Sequence, residues 1–278
     1  MKTIVTHTSP DLDAITSSWL IHRFLPGWKK AEFEFVSAGK TLNDQPPDSN
    51  SEILHVDTGY GKFDHHQTDK QTCASRLVFD YLLKNDHIRK NDAPALDRLV
   101  DVVNRYDHFL EVYLENSDDD INDFSLNILI DGLKIKKQNN LEVLLYVETA
   151  LDALFVNFKN KVNAEMALEN GFEFTSVWGK TLALESENDE VMKLGFKKGY
   201  DMIIRKSILQ GSVRIKLNPK INHPLKPLEK PIKQADPKAT WFYHISGRMF
   251  LNGSSKTPSA VPSSLSLKRI IQIVKKVS

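Results

Sequence analysis

Phe63-Asp64-His65-His66-Gln67 sets an acidic residue directly before two adjacent histidines, a few residues beyond the apolar run Ile53-Leu54-His55-Val56. A short apolar run of this kind predicts a strand. It ends in Asp57, so the strand delivers a carboxylate at its carboxyl end. Ligands of open α/β sheets gather at that edge, where loops from different strands converge. The stretch therefore predicts an α/β fold with a polar site at one edge of its sheet.

The amino terminus has the same arrangement. Lys2-Thr3-Ile4-Val5-Thr6 predicts a β-branched strand, and His7, Asp11 and Asp13 follow it. Carboxylates mixed with imidazoles, without thiolates, suit Mn²⁺ or Mg²⁺ better than structural zinc. Because so many carboxylates are available, two cations are expected rather than one. The structural alternatives are that Asp13 caps a helix, that Asp57 is a turn residue and that His7 is a hydrogen-bonded core histidine.

Helices and strands alternate over residues 1–110, which predicts a mostly parallel sheet flanked by helices. The predicted helices cover residues 14–24, started by Asp13, then 72–83 and 95–109. Asp107 lies near the end of the third helix, with Asp101 as a second candidate on it. Cys73, near the start of the second helix, is either a reactive thiolate or a small buried residue.

Beyond residue 110 a long helical pattern covers residues 141–169, and short strand-like runs follow it. We predict an amino-terminal catalytic metal-binding domain over residues 1–135, a helical linker over 136–175 and a smaller α+β domain over 176–278. Residues 218–238, rich in proline and lysine, are expected to form an exposed basic loop. The single cysteine excludes an internal disulfide.

Charge is divided unevenly along the 278 residues. Residues 191–278 hold 18 Lys and Arg against 3 Asp and Glu, whereas residues 1–190 hold 19 against 33. This asymmetry suggests an acidic part that holds cations and a basic part that holds a polyanion, although the two charges could also serve only for solvation. The chain lacks an apolar run near the ~18 residues of a membrane span and lacks a signal sequence, so a cytoplasmic protein is expected.

The order of the polar positions resembles the DHH phosphoesterase superfamily over roughly the first 110 residues. The positions are His7, Asp11, Asp13, Asp57, Asp64-His65-His66 and Thr72-Cys73-Ala74-Ser75. That superfamily includes RecJ-like nucleases, oligonucleotide and cyclic-dinucleotide phosphodiesterases and family II inorganic pyrophosphatases. The resemblance implies a two-manganese site, with Mg²⁺ as the other possible ion.

The resemblance also implies a role for each position. His7 and Asp11 would hold one ion, Asp13 and His65 the other, and Asp57 would bridge them. Asp107 would complete the ligand set of the second ion, and Asp101 is the alternative candidate for this position. His66 would face the scissile phosphate, and Asp64 would orient the histidines. In the basic domain, the segment His244-Ile245-Ser246-Gly247 resembles the closing motif of a metal-dependent hydrolase or RNA exonuclease branch, and His244, Ser246, Gly247 and Lys256 are the candidate substrate contacts.

The expected function is therefore a hydrolase that cleaves phosphodiester bonds of oligonucleotides or of RNA or DNA ends, by attack of a hydroxide generated at the metals. An inorganic pyrophosphatase or a small phosphoester hydrolase is the nearest alternative. A noncatalytic member that binds nucleic acid or protein, and a single-metal enzyme for another substrate, belong to other classes. A homodimer is possible.

Overall fold

Strand β1 (Thr3–His7) is the central strand of the amino-terminal sheet, in a computed structural model that describes residues 1–136, 139–253 and 257–277. It pairs in parallel with β2 (Glu32–Val36) on one side and with β3 (Ile53–His55) on the other. Ile4, Val5 and Thr6 are fully buried, as expected for a strand covered on both faces. The predicted parallel sheet is confirmed, and its carboxyl edge collects the segments after His7 and His55.

Helices pack on this sheet and on one another through one hydrophobic core. They are α1 (Leu12–Phe24), α2 (Ala74–Lys84), α3 (Ala93–Asp107) and, after the short helix α4 (Asp120–Asp123), which adds no residue to this core, α5 (Leu126–Ile135). Pro94 lies in the first turn of α3, where a missing N–H costs nothing. On α1, Ile15 and Trp19 are buried one turn apart, so this helix is held by packing along its length.

The chain divides into two units, Met1–Lys159 and Asn160–Ser278. The division falls inside α6 (Asn140–Glu169), within the range 136–175 that was predicted as a helical linker. The first half of α6 adds Leu144 and Leu151 to the core of the first unit, and its second half adds Ala164 and Leu168 to a core of the second. Both ends of the helix are thus part of a folded unit.

The second unit contains a six-stranded mixed sheet in the order β4-β5-β6-β7-β9-β8. Its strands are β4 (Phe172–Ser176), β5 (Gly179–Glu185), β6 (Met202–Lys206), β7 (Val213–Leu217), β8 (Trp241–Tyr243) and β9 (Met249–Asn252). Within this sheet, the β5–β6 pair is parallel and the other described pairs are antiparallel. Its helices are α7 (Glu190–Lys197), α8 (Lys226–Ala235) and α9 (Leu267–Lys276). The expected α+β arrangement of this part agrees with these elements.

Two local predictions were wrong. Residues 218–238 are not all loop, because α8 buries Leu228 and Ile232, four positions apart, against the sheet core. Asp13 does not begin α1. The side chain of Asp11 accepts a hydrogen bond from the Ala14 amide, and Asp11 is therefore the N-cap.

Among the described helices, none combines the length and the apolar character that crossing a membrane would require.

Candidate metal centre

Asp57 is the central carboxylate of the site and lies two residues after β3. Its side chain is buried, and its backbone has a left-handed φ of 54°, which is uncommon for a residue other than glycine. Oδ2 lies 3.2 Å from His7 Nε2, within hydrogen-bonding distance, and Oδ1 lies 3.4 Å from His65 Nε2. The two oxygens of one carboxylate thus face two different histidines.

Oδ1 of Asp57 is buried and accepts no hydrogen bond from the described residues, because the contact with His65 lacks hydrogen-bond geometry. An unsatisfied buried carboxylate oxygen is costly. A cation beside this oxygen would satisfy it, since carboxylate oxygens are ligands that divalent cations prefer. The donor set and the unsatisfied atom therefore fit a metal ion.

His7, Asp11 and Asp57 form one group of side chains that could hold an ion. His7 Nε2 lies 3.8 Å from Asp11 Oδ2, while Nδ1 of the same ring is 3.0 Å from the Thr8 carbonyl. The carbonyl can only accept, so Nδ1 carries a proton and Nε2 is the atom available to a metal. Asp11 uses Oδ1 as the cap of α1, which leaves Oδ2 for the site.

Asp13, His65 and Asp107 form a second group. His65 Nε2 lies 4.0 Å from Asp13 Oδ2 and 3.8 Å from Asp107 Oδ2. Asp13 also accepts hydrogen bonds from two backbone amides at the start of α2, at 2.7 Å from Ala74 and 2.9 Å from Ser75. Cys73, the N-cap residue of α2, makes no such bond itself, so Asp13 caps this helix from across the fold.

The pKa values in the cluster reflect crowding of acids and bases. Burial lowers the pKa of His7, but its hydrogen bonds to Asp57 and Thr8 and the nearby carboxylates outweigh burial and raise it to about 9. Contact with Asp57 is the largest cause that raises the pKa of His65, also to about 9. Burial, then the charges of Asp57 and Asp107, raise the pKa of Asp13 to about 8. Without a cation, these groups retain protons at neutral pH that a bound cation would displace.

Two further carboxylates have shifts in opposite directions. Burial raises the pKa of Asp107, and the charge of His65 only partly offsets it. Burial also opposes ionisation of Asp57, but its contacts with His65 and His7 outweigh burial and lower its pKa. Of Asp13, Asp57 and Asp107, Asp57 is therefore the one whose surroundings favour the ionised form, which suits a ligand of a cation.

His66 is hydrogen-bonded to Asp64, and its ring is tilted by 44° from the ring of His65. Its Nδ1 lies 2.7 Å from Asp64 Oδ1, and its backbone amide donates to the same oxygen at 3.0 Å. The other oxygen of Asp64 accepts from the Tyr60 amide at 2.7 Å. Asp64 is in none of the ligand groups found among the described residues, which agrees with the expectation that it orients a histidine. A third group of possible ligands consists of Asp57, His65 and His66. Binding of an ion by His66 in this group would compete with the hydrogen bond between His66 and Asp64.

The structure distinguishes the two candidates on α3. Asp107 takes part in a ligand group, whereas Asp101 is exposed and belongs to no such group in the part of the chain that the structure describes. His108 lies beside Asp107, with Nδ1 3.4 Å from its Oδ2 and 2.8 Å from the Asn104 carbonyl. Cys73 is fully buried, and burial raises the pKa of its thiol, so it is not a thiolate nucleophile.

The candidate substrate residues of the second unit lie just after β8. His244 Nδ1 is 2.9 Å from Ser246 Oγ and 3.1 Å from the Ser246 amide. Gly247 has a φ of 72°, a conformation that glycine adopts without strain. Lys256 lies outside the described residues.

Two contacts of the site were not predicted from the sequence: the Thr8 carbonyl that orients His7, and the α2 amides that hold Asp13. Both are backbone groups, which no side-chain pattern reveals.

A family model described as the C-terminal domain of ChrB matches residues 4–158. No curated protein matches the chain. Among solved structures, the chain is similar to an uncharacterized protein from Helicobacter pylori, with 12% identity, a TM-score of 0.27 and coverage of 100% of this chain and 99% of that one. The DHH domain of a member of a family of ribosomal proteins has 12% identity, a TM-score of 0.33 and coverage of 99% and 86%. RecJ from Thermus thermophilus, solved with Mg²⁺, has 11% identity, a TM-score of 0.30 and coverage of 99% and 55%.

Proposed function

The chain belongs to the ChrB C-terminal domain family, whose match over residues 4–158 nearly coincides with the first unit, and we propose that this unit is the catalytic part of a two-metal phosphoesterase of the DHH type. Mn²⁺ is the proposed ion, with Mg²⁺ as the second choice. The proposed reaction is hydrolysis of phosphodiester bonds in oligonucleotides or at nucleic-acid ends.

The observation that carries the proposal is the placement of Asp57. One oxygen faces the group of His7 and Asp11, and the other faces His65 of the group that includes Asp107. A carboxylate shared between two ligand groups in this way is what a pair of nearby cations requires. The order of these residues along the chain also agrees with the resemblance of the sequence to the DHH superfamily.

When bound, a pair of divalent cations supplies charge stabilisation for phosphoryl oxygens and activation of water at neutral pH. The protein would contribute fixed ligand positions, because Asp13 is hydrogen-bonded to α2 and His7 to the Thr8 carbonyl. His66 is 55% exposed, against 14% for His7 and for His65. It is thus the histidine open to a substrate, and its bond to Asp64 would hold the ring while Nε2 meets a phosphate oxygen.

A nucleic-acid substrate is favoured over pyrophosphate by the charge of the second unit. Residues 191–278 carry 18 basic against 3 acidic residues, an excess that a small inorganic anion would not need. His244, Ser246, Gly247 and Lys256 remain the proposed substrate contacts in this part of the chain.

The test is to count bound Mn²⁺ by mass spectrometry and to offer labelled RNA, single-stranded DNA, a dinucleotide and pyrophosphate. We expect two ions per chain and hydrolysis of the oligonucleotides. Asp57→Asn should lower the rate by more than about 100-fold, since it removes the shared ligand. Asp101→Asn removes an equal charge from exposed α3 surface and should leave the rate unchanged.

Wild-type protein that binds Mn²⁺ yet cleaves no substrate would exclude the catalytic proposal. If the protein cleaved only pyrophosphate, pyrophosphate would replace nucleic acid as the proposed substrate. Wild-type activity of Asp57→Asn would exclude the proposed metal site.

A further inference from the structure

One face of the second sheet carries a row of side chains that crosses strands β6, β7, β9 and β8. Arg205 is opposite Arg214, Arg214 is opposite Leu251, and Leu251 is opposite Phe242. Directly paired residues of neighbouring strands point to the same side of a sheet. The residues between them along these strands belong largely to the hydrophobic core on the other side.

A second row lies beside the first. Ile203 is opposite Lys216, and Lys216 is opposite Met249. The His244 amide donates to the Met249 carbonyl at 3.0 Å, which continues the pairing onto the segment after β8. His244 and Phe242 share this side, and their ring centroids lie 6.1 Å apart at an interplanar angle of 79°. The face therefore has cations at one end and aromatic rings at the other.

The cationic end holds more positive than negative charge. Arg205 is buried and pairs with Asp189 at 3.0 Å, and Arg214 pairs with the same carboxylate. Lys216 is partly buried, and its side chain makes no ion pair or hydrogen bond with any residue that the structure describes. Burial, followed by the charge of Arg214, lowers the pKa of Lys216. An anion at this position would stabilise an ammonium group that the described residues leave without an ion pair.

The aromatic end offers a flat apolar surface and a hydrogen-bond donor. Phe242 is 57% exposed although it lies in a strand. His244 Nδ1 accepts the Ser246 amide, so in the neutral ring the proton is on Nε2. Nε2 has no hydrogen-bond partner among the described residues. Exposed aromatic rings beside cations on a sheet are the features that bind unpaired bases and their phosphates.

We propose that this face of the sheet binds single-stranded nucleic acid, with Lys216 and Arg214 contacting phosphate and Phe242 stacking on a base. The proposal rests on the proposed function for its substrate class, but it requires no metal. An acidic protein would complement the positive charge of the cationic end equally well, but its carboxylates would not stack on the exposed ring of Phe242.

The test is fluorescence anisotropy in EDTA with the full chain and a labelled single-stranded RNA of about 12 nucleotides. Phe242→Leu should weaken binding about tenfold, the loss of one stacked base. Phe172→Leu, which removes an exposed ring that pairs opposite Ala183 on the other side of the sheet, should not. Lys216→Gln should weaken binding and reduce the slope of log affinity against log salt by about 0.7, the value for one phosphate contact. Lys220→Gln removes an exposed lysine beyond β7 and should keep the wild-type slope.

Equal effects of Lys216→Gln and Lys220→Gln would overturn the proposal, as would a Phe242→Leu variant with wild-type affinity and wild-type circular dichroism. Competition by polyglutamate as effective as competition by unlabelled RNA would assign the face to acidic proteins instead. Because binding is measured without metal, RNA binding by a chain that never hydrolyses RNA would refute the proposed function alone. Hydrolysis of RNA with no effect of these substitutions on binding would refute this proposal alone.

Discussion

Asp11 has two roles that substitution can separate. Its Oδ1 accepts the Ala14 amide as the N-cap of α1, and its Oδ2 faces His7 in a candidate ligand group. Serine caps a helix about as well as aspartate, whereas alanine does not. Asp11→Ser should therefore retain the cap and lose the ligand, and Asp11→Ala should lose both.

The expected magnitudes differ with and without metal. In EDTA, Asp11→Ala should be less stable than wild type by about 1 kcal/mol, the usual value of an N-cap, and Asp11→Ser should lie within about 0.5 kcal/mol of wild type. With Mn²⁺ at about 100 times its Kd, wild type gains about 2.7 kcal/mol. A hundredfold weaker site would gain only about 0.4 kcal/mol, so both variants should lose roughly 2 kcal/mol of this gain.

The assay is thermal unfolding with EDTA and with Mn²⁺, where 1 kcal/mol corresponds to about 2–4 °C for a unit of this size. Hydrogen exchange of peptides from α1 reports the cap locally, because only Asp11→Ala should speed exchange in its first turn. If Mn²⁺ stabilised Asp11→Ser as much as it stabilises the wild type, the ligand role of Asp11 would be refuted. Identical stability of Asp11→Ala and Asp11→Ser in EDTA would refute the cap.

Three further outcomes are expected. Asp107→Asn should lose one of two bound Mn²⁺ ions in a mass-spectrometric count while Asp101→Asn keeps both, and the reverse result would move the ligand to Asp101. The bond to Glu148 is the largest cause that raises the pKa of His22, so this pair stabilises the fold below about pH 6.5 and less as pH rises through the raised value. Urea unfolding should therefore show a smaller advantage of wild type over His22→Gln at about pH 9 than at about pH 6, and an advantage independent of pH would contradict this. Cys73 should resist iodoacetamide in the native chain at neutral pH and react in urea, whereas rapid native labelling would show that its thiol is accessible.

The sequence was sufficient to predict the parallel sheet, because β-branched runs followed by polar residues identify strands whose carboxyl ends meet. It was not sufficient for α8, since two prolines and several lysines concealed Leu228 and Ile232, whose burial depends on the sheet beneath them. The choice between Asp101 and Asp107 also required the structure. Both lie on one predicted helix, and only packing decides which turn reaches the site.

The cap of α2 has a similar explanation. Asp13 lies about 60 positions before the two amides whose hydrogen bonds it accepts, and a local sequence pattern describes only residues that are close in the chain. The left-handed backbone of Asp57 likewise could not be predicted from the sequence, because aspartate tolerates this conformation without requiring it.

The bond between Asp13 and the start of α2 affects how other members of this family should be compared. A chain that has lost hydrolysis would still need an acceptor for the amides of Ala74 and Ser75, so selection for folding alone can preserve this aspartate. Its presence in a homologue is consequently poor evidence of activity. His65 and Asp107 are partly exposed, and the structure shows no comparable backbone bond to their ring nitrogens or carboxylate oxygens among its described residues. Their loss or retention should distinguish active homologues from inactive ones.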